Sequence, residues 1–339
     1  MRAFAVSLQL VALTCVAFVF PSCGSGDTPT EGAQTPGFLR VSNEVQAGAS
    51  EVETVRDSSA PSSTSAGAAA PVESAPTAPA AGVAIAGTDA ATNEARGMAA
   101  LEAHDFASAS RQLSSALLAE FAEPEQDRAR IARLAAALRH AQSDHRWSPK
   151  GEWPSFETKV QAGDSLIAIR KRILAAHPDM LLCTGQIERV NRLKNSTAIR
   201  PDDVLRIPTD RAAVIVDLSA MWILYTLSGE VADAWEVGVG KDGSDTKPGV
   251  YTIGLKQENP MWTPAGREPV PFGDPTNPLG TRWLAWHIDG RGTSLGFHGT
   301  NDASGIGRRV SEGCIRMRNE DVESLFDILP QGSEVRVQP

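Results

Sequence analysis

Cysteine is scarce in this chain. Its 339 residues hold four, Cys15, Cys23, Cys183 and Cys314, too few and too scattered for the disulfide framework of a small secreted domain. Basic charge is short as well: 32 Lys and Arg stand against 41 Asp and Glu, for a net charge of −9. With no basic stripe to neutralise phosphates, nucleic acid is excluded as a partner. No His-Glu-x-x-His or comparable spacing assembles a metal site, so none is expected from Cys314, His298 and His287, and no cofactor is implied. Gly238-Val239-Gly240-Lys241 lacks the four-residue spacer and the Ser or Thr of a phosphate loop, which removes nucleotide binding.

What is present changes along the chain. Met1-Arg2 and the apolar stretch Ala3 to Phe20 read as an export signal, with a retained membrane anchor as the alternative. Cys23, preceded by Ser22, resembles the acceptor cysteine of bacterial lipoproteins, although Phe20 departs from the usual Leu or Val. Residues 1–23 are therefore expected to be a signal peptide with lipidation at Cys23. Each reading puts the body outside the cytoplasm, in the cell envelope, on the periplasmic side when lipid holds it to a membrane. Residues 24–92 are rich in Ala, Ser, Pro, Thr and Gly, with too little apolar surface to offset ordering entropy. They are expected to be a disordered tether with an r.m.s. span of about 45 Å.

Residues 93–143 become Ala- and Leu-rich at helical spacing. Met98 and Leu101 begin one apolar face, Leu113 and Leu117 a second, and Ile131, Leu134 and Leu138 a third. Asp105 is the expected N-cap between the first two helices. Gly97-Met98-Ala99 and Phe106-Ala107-Ser108-Ala109 are similar to a single tetratricopeptide-type hairpin. One unit is too few for an array, so a spacer or small docking module is expected.

In residues 155–209, Phe156-Glu157-Thr158-Lys159-Val160 alternates like a strand, and Gly163-Asp164 marks a turn and helix cap. Leu166, Ile169 and Ile173 give one helical face, Ile187, Val190 and Leu193 another, and Val204 to Pro208 a closing strand. This β-α-α-β unit resembles the LysM domain through Val160-Gln161-Ala162-Gly163-Asp164-Ser165-Leu166, Asn191-Arg192-Leu193 and Ile199 to Pro208. The resemblance implies binding to peptidoglycan glycan strands. Cys183 reads as a small buried apolar residue.

Beyond Arg211 short strands separated by Gly turns indicate a β-rich domain, a β-sandwich or a folded sheet. Its chemistry-bearing residues are His298, in His298-Gly299-Thr300-Asn301, and Cys314, in Ser311-Glu312-Gly313-Cys314-Ile315-Arg316-Met317. A thiol and a base that can take its proton are the requirement for acyl transfer through sulfur. With Val216-Asp217-Leu218-Ser219, Lys247-Pro248-Gly249-Val250-Tyr251-Thr252-Ile253 and Asn277-Pro278-Leu279-Gly280, these motifs make residues 211–338 resemble the YkuD-type L,D-transpeptidase domain. The fold implied is a β-sandwich. The activity implied is formation of 3→3 cross-links between tetrapeptide stems of peptidoglycan. By that resemblance Cys314 is the nucleophile, His298 the general base, and the Gly299 carbonyl orients His298. The N–H groups of Gly313 and Cys314 would form the oxyanion hole, and Arg316 would organise the site or bind a substrate carboxylate. Thr300, Asn301 and Ser311 would contact substrate. A carboxylate at Glu312 could raise the thiol pKa. His287 is expected to be structural or to line the cleft; Trp262 and Trp286 are core aromatics or line the substrate cleft, with the core the first expectation for each. The same nucleophile would also serve an L,D-carboxypeptidase or the attachment of a protein to peptidoglycan, and a non-catalytic wall-binding anchor is the reading from a different class.

Overall fold

Three helices open the portion that the computed structural model describes, residues 89–339 apart from 124, 150, 152 and 265. The export segment, Cys23 and nearly all of the tether lie outside the described residues. Helix α1 spans Ala90–Glu102, α2 Phe106–Glu120 and α3 Arg128–Asp144. Each begins on an aspartate that accepts from first-turn N–H groups: Asp89 from Ala91, Asp105 from Ser108, and Asp127 from Ala129 and Arg130. The Asp89 cap starts the helical segment before residue 93, where it was expected.

Met98 lies on the exposed side of α1. The contact is made instead by Gly97, where a Cβ would come within 2.7 Å of Leu113 Cγ. Leu113, Leu117, Ile131, Leu134 and Leu138 are buried in one cluster with Trp222, Leu224, Val231 and Ala234 of the sheet. Among the described residues the apolar face of these helices is covered by the sheet. Polar contacts tie the same surfaces together. Arg139 pairs with Asp233 at 3.1 Å, Gln142 donates to Val231 O at 3.1 Å, and Ser114 Oγ accepts from Val231 N at 2.8 Å.

The next unit pairs β1 (Ser155–Lys159) antiparallel with β2 (Val204–Pro208), with α4 (Leu166–Ala176) and α5 (Thr184–Val190) between them. Val160, Leu166, Ile169, Ile173, Ile187 and Ile207 form its small core. The cap of α4 is Ser165, which accepts from Ala168 N; Asp164 instead accepts from Gln161 N and pairs with Arg172.

The remaining strands are β3 (Ala212–Asp217), β4 (Trp222–Leu227), β5 (Glu230–Glu236), β6 (Val239–Gly240), β7 (Gly249–Glu258), β8 (Arg282–Ile288), β9 (Arg291–His298), β10 (Arg309–Ser311), β11 (Ile315–Arg316) and β12 (Glu334–Gln338), with helix α6 (Asn319–Ile328) before the last. The expected β-rich domain is observed, and it is built on one continuous sheet whose two halves share a core. Hydrogen bonding joins eight of these strands in the order β11-β9-β8-β7-β12-β3-β4-β5, and only β6 and β10 pair separately. The C-terminal strand is the reason: β12 lies parallel to β3 and antiparallel to β7, closing the gap between two hairpin arrays. Strand β4 is buried at every residue, because α2 and α3 cover one face while Trp286, Phe297 and the α6 residues Val322, Leu325 and Ile328 pack with its Tyr225 on the other.

Helix α6 also joins the β-α-α-β unit to the sheet. Its C-terminal carbonyls receive the Lys256 ammonium (Phe326 O, and Leu329 O at 2.9 Å), the Cys183 thiol (Asp327 O, 3.0 Å) and the Tyr225 hydroxyl (Ile328 O, 3.0 Å). Gly185 permits the approach of α5, since a Cβ there would sit 2.1 Å from Asp327 O. Burial raises the Cys183 thiol pKa.

Candidate active site

Beyond a bulge between Gly292 and Gly296, alternation at the end of β9 puts Gly296 and His298 on one face of the sheet. Strand β11 runs parallel beside it, with Ile315 opposite Phe297 and Arg316 opposite His298. Cys314, the residue before β11, therefore comes alongside Gly296, one step of the alternation from His298 and on the same face. Its Sγ lies 3.4 Å from Ser294 O and receives the Gly296 N–H. Gly296 is needed because a side chain would meet Leu284 O at 2.5 Å and the Trp283 ring at 2.8 Å. Trp283 stands directly across the β8–β9 ladder from His298, with ring centroids 6.2 Å apart.

The imidazole is 4 % exposed, and its Nδ1 lies 2.5 Å from Gly299 O. A carbonyl can only accept, so Nδ1 carries the proton and Nε2 keeps its lone pair. Burial depresses the His298 pKa to about 4; the Gly299 carbonyl works against that shift and the Arg316 charge adds to it. Burial pushes the Cys314 thiol up to about 11, opposed by the Gly296 N–H and by Arg316. At neutral pH the couple rests as thiol and neutral imidazole. Glu312 does not raise the thiol pKa as expected. Its carboxylate is exposed, paired with Lys241 and held by Ser244 Oγ at 2.8 Å, and Lys241 lowers its own pKa.

The other expected site residues divide by how their polar groups are used. Gly299 supplies the orienting carbonyl. The Gly313 N–H, expected in an oxyanion hole, donates to Ser311 Oγ at 3.2 Å, and Ser311 Oγ in turn donates to Cys314 O at 2.6 Å. Gly313 adopts φ +109°, a value that favours glycine, and its carbonyl accepts from Thr246 Oγ1 at 2.8 Å. Thr300 Oγ1 bonds Asp302 O and N, both at 3.0 Å. Thr300 and Ser311 are buried, and their hydroxyls bond to the backbone. Asn301 is exposed, but its Nδ2 donates to Pro275 O and Asn277 O. Arg316 is half-buried, and its Nε has no partner among the described residues.

A cavity of about 340 Å³ opens onto Cys314, walled by Met261, Trp262, Leu279, Trp283 and Ser294. Trp286 is in the core as expected, whereas Trp262 lines this cavity. His287 packs its ring over Gly254 on the same sheet face, 2.1 Å from where a Cβ would be. Among the described residues no three His, Cys, Asp or Glu side chains are grouped to hold a metal ion. Sequence reasoning missed Trp283, Thr246 and Asn319. Position opposite His298 in a strand pair would have marked Trp283; an Asn where α6 begins suggests only a helix cap.

The family model for the L,D-transpeptidase catalytic domain, YkuD, matches residues 211–337. YqjB of Bacillus subtilis, a protein named as an L,D-transpeptidase, is 35% identical over 125 residues, 37% of this chain and 69% of that protein. ErfK/SrfK of Salmonella typhimurium, likewise named, is 33% identical over 157 residues; the match covers 42% of this chain and about half, 49%, of the relative's length. An L,D-transpeptidase structure from Mycobacterium tuberculosis aligns over 42% of this chain and 74% of its own, at 17% identity and a TM-score of 0.32. The family match runs from just before β3 into β12, the whole frame that carries the thiol and the imidazole, and on it the chain belongs to the YkuD family of L,D-transpeptidase catalytic domains.

Proposed function

We propose that this chain is a peptidoglycan L,D-transpeptidase that forms 3→3 cross-links through a thioester on Cys314. The observation that carries the reading is one pairing: β11 sets the Cys314 thiol beside the strand that ends in His298, whose Nδ1 is tied to Gly299 O so that Nε2 is free to accept a proton. With the thiol at about 11 and the imidazole at about 4, separate proton transfer would cost on the order of 10 kcal/mol before the mutual attraction of the resulting ions is counted. In this reading the proton passes from sulfur to Nε2 in the attack step.

Sγ attacks the carbonyl carbon between diaminopimelate and D-Ala in a donor tetrapeptide, and His298 Nε2 takes the thiol proton. The Cys314 N–H is the donor for the oxyanion, given that the Gly313 N–H is bonded to Ser311. His298 returns the proton to the leaving amine, the C–N bond breaks and D-Ala departs. The side-chain amine of a second stem then attacks the thioester and passes a proton to Nε2; the S–C bond breaks as the new amide forms, and Nε2 returns that proton to Sγ, restoring the thiol. Arg316 presents a planar donor fork for a stem carboxylate. Its own charge and the apolar cavity wall keep the resting imidazole neutral, as a base requires.

In the same reading the 155–209 unit holds glycan strands as a LysM domain, and export with lipid on Cys23 holds the chain in the envelope. The full chain incubated with tetrapeptide muropeptides should release D-Ala and yield dimers by mass spectrometry, with Cys314→Ala inert. Tripeptide monomers without dimers would favour a carboxypeptidase. Unchanged muropeptides with wild-type protein would end the enzyme reading.

A further inference from the structure

Asn319, the first residue of α6, turns its side chain away from its own helix. Its Oδ1 accepts from Thr300 N at 3.1 Å and from Thr281 N at 3.2 Å. The Thr300 N–H and the Gly299 carbonyl belong to one planar peptide unit, and in a trans peptide they point in opposite directions. One edge of that plane is therefore held by Asn319, and the other receives His298 Nδ1. Two glycines make room for the contact. A Cβ at Gly280 or at Gly299 would each lie 2.2 Å from Asn319 Oδ1.

We propose that Asn319 is a positioning residue of the acyl-transfer site, acting through the Gly299–Thr300 peptide to fix the tautomer and direction of the His298 imidazole. The inference rests on the reading of His298 as the base. Because the peptide is planar, its carbonyl cannot swing away from Nδ1 without breaking the N–H bond to Asn319. Donation of that N–H also polarises the amide and makes its oxygen a better acceptor. Asn319 thus stands to the peptide as the peptide stands to the imidazole. The Thr281 bond anchors the arrangement to the start of β8, the strand that carries Trp283. The groups facing the imidazole are Arg316 as the charged neighbour, Cys314 as the titratable one and Trp283 as an aromatic wall. Asn319 adds no charge to that set.

The test compares Asn319→Ala and Asn319→Asp in the full chain. The aspartate can accept the same two N–H bonds and adds a negative charge; the alanine accepts neither. For Asn319→Ala, kcat for D-Ala release should fall by at least about tenfold, the scale of a misplaced general base, with KM changed far less. Nitrogen-15 NMR should show His298 losing its single Nδ1–H tautomer, and its pKa should drop because the Gly299 carbonyl no longer favours the protonated ring. For Asn319→Asp the tautomer should persist, activity should remain well above that of the alanine variant, and the pKa should rise. A residue of merely structural importance would lower both variants in proportion to their unfolding midpoints and leave the tautomer unchanged. That result, or a single Nδ1–H tautomer in folded Asn319→Ala, overturns the proposal. Should wild-type protein release no D-Ala, the functional reading fails, while the tautomer measurement still decides the role of Asn319.

Discussion

Trp283 and His298 face each other across the β8–β9 ladder, with ring centroids 6.2 Å apart and planes inclined by 31°. The indole is a wall of the Cys314 cavity and at the same time a cover for the imidazole. Burial is the main cause of the depressed His298 pKa, so removing that cover should admit water and let the pKa rise from about 4 toward 6.5. Trp283→Ala is expected to move the acid limb of the kcat/KM profile to higher pH, with Trp283→Phe intermediate. An acid limb that stays at the wild-type position would show that the indole does not shield His298.

The same burial makes a stability prediction. His298 has a folded pKa below its ordinary value, so the unfolded chain binds the proton first as pH falls. Stability is lost from about pH 6.5 downward, by about 3 kcal/mol at pH 4 on the depression to about 4. Cys314 works at the other end: a thiol raised to about 11 loses stability as pH climbs past its unfolded value of 9.0. Urea unfolding of wild type and His298→Gln should diverge between pH 7 and pH 4, the variant losing less. Parallel curves would contradict the assignment.

Arg146 supports the helical segment. Its guanidinium is buried between Asp210 at 2.7 Å and Glu230 at 2.9 Å. Removing one partner of a buried pair leaves the other charge desolvated and unmatched, which costs about 3–5 kcal/mol. Arg146→Ala should therefore lower the unfolding free energy by that order, and the double variant with Asp210→Ala should lose less than the sum of the singles. Additive losses would mean the two charges are independently hydrated.

Legibility from sequence followed distance along the chain. The Asp105 cap, the helical faces around Leu113 and Leu134, and the His298 and Cys314 motifs were readable because their signals are local. The choice between a sandwich and a folded sheet was not, since it depends on β12 reaching back to lie between β7 and β3. Trp262 stayed open between core and cleft because apolar side chains near a motif look alike until the cavity is formed. The fate of the Gly313 N–H was hidden for a finer reason: it depends on where the Ser311 hydroxyl turns. Asn319 was hidden because its partners, Thr281 and Thr300, come from two separate loops.

The most direct measurement of the central claim is the intact mass of the full chain after brief exposure to a tetrapeptide donor without acceptor. Wild type should gain the mass of the donor less D-Ala, with D-Ala released in equal amount and the adduct lost to hydroxylamine as a thioester. Cys314→Ser should gain no such thioester, and His298→Gln should acylate far more slowly. D-Ala release by Cys314→Ala, or an adduct on any residue other than Cys314, would contradict the account.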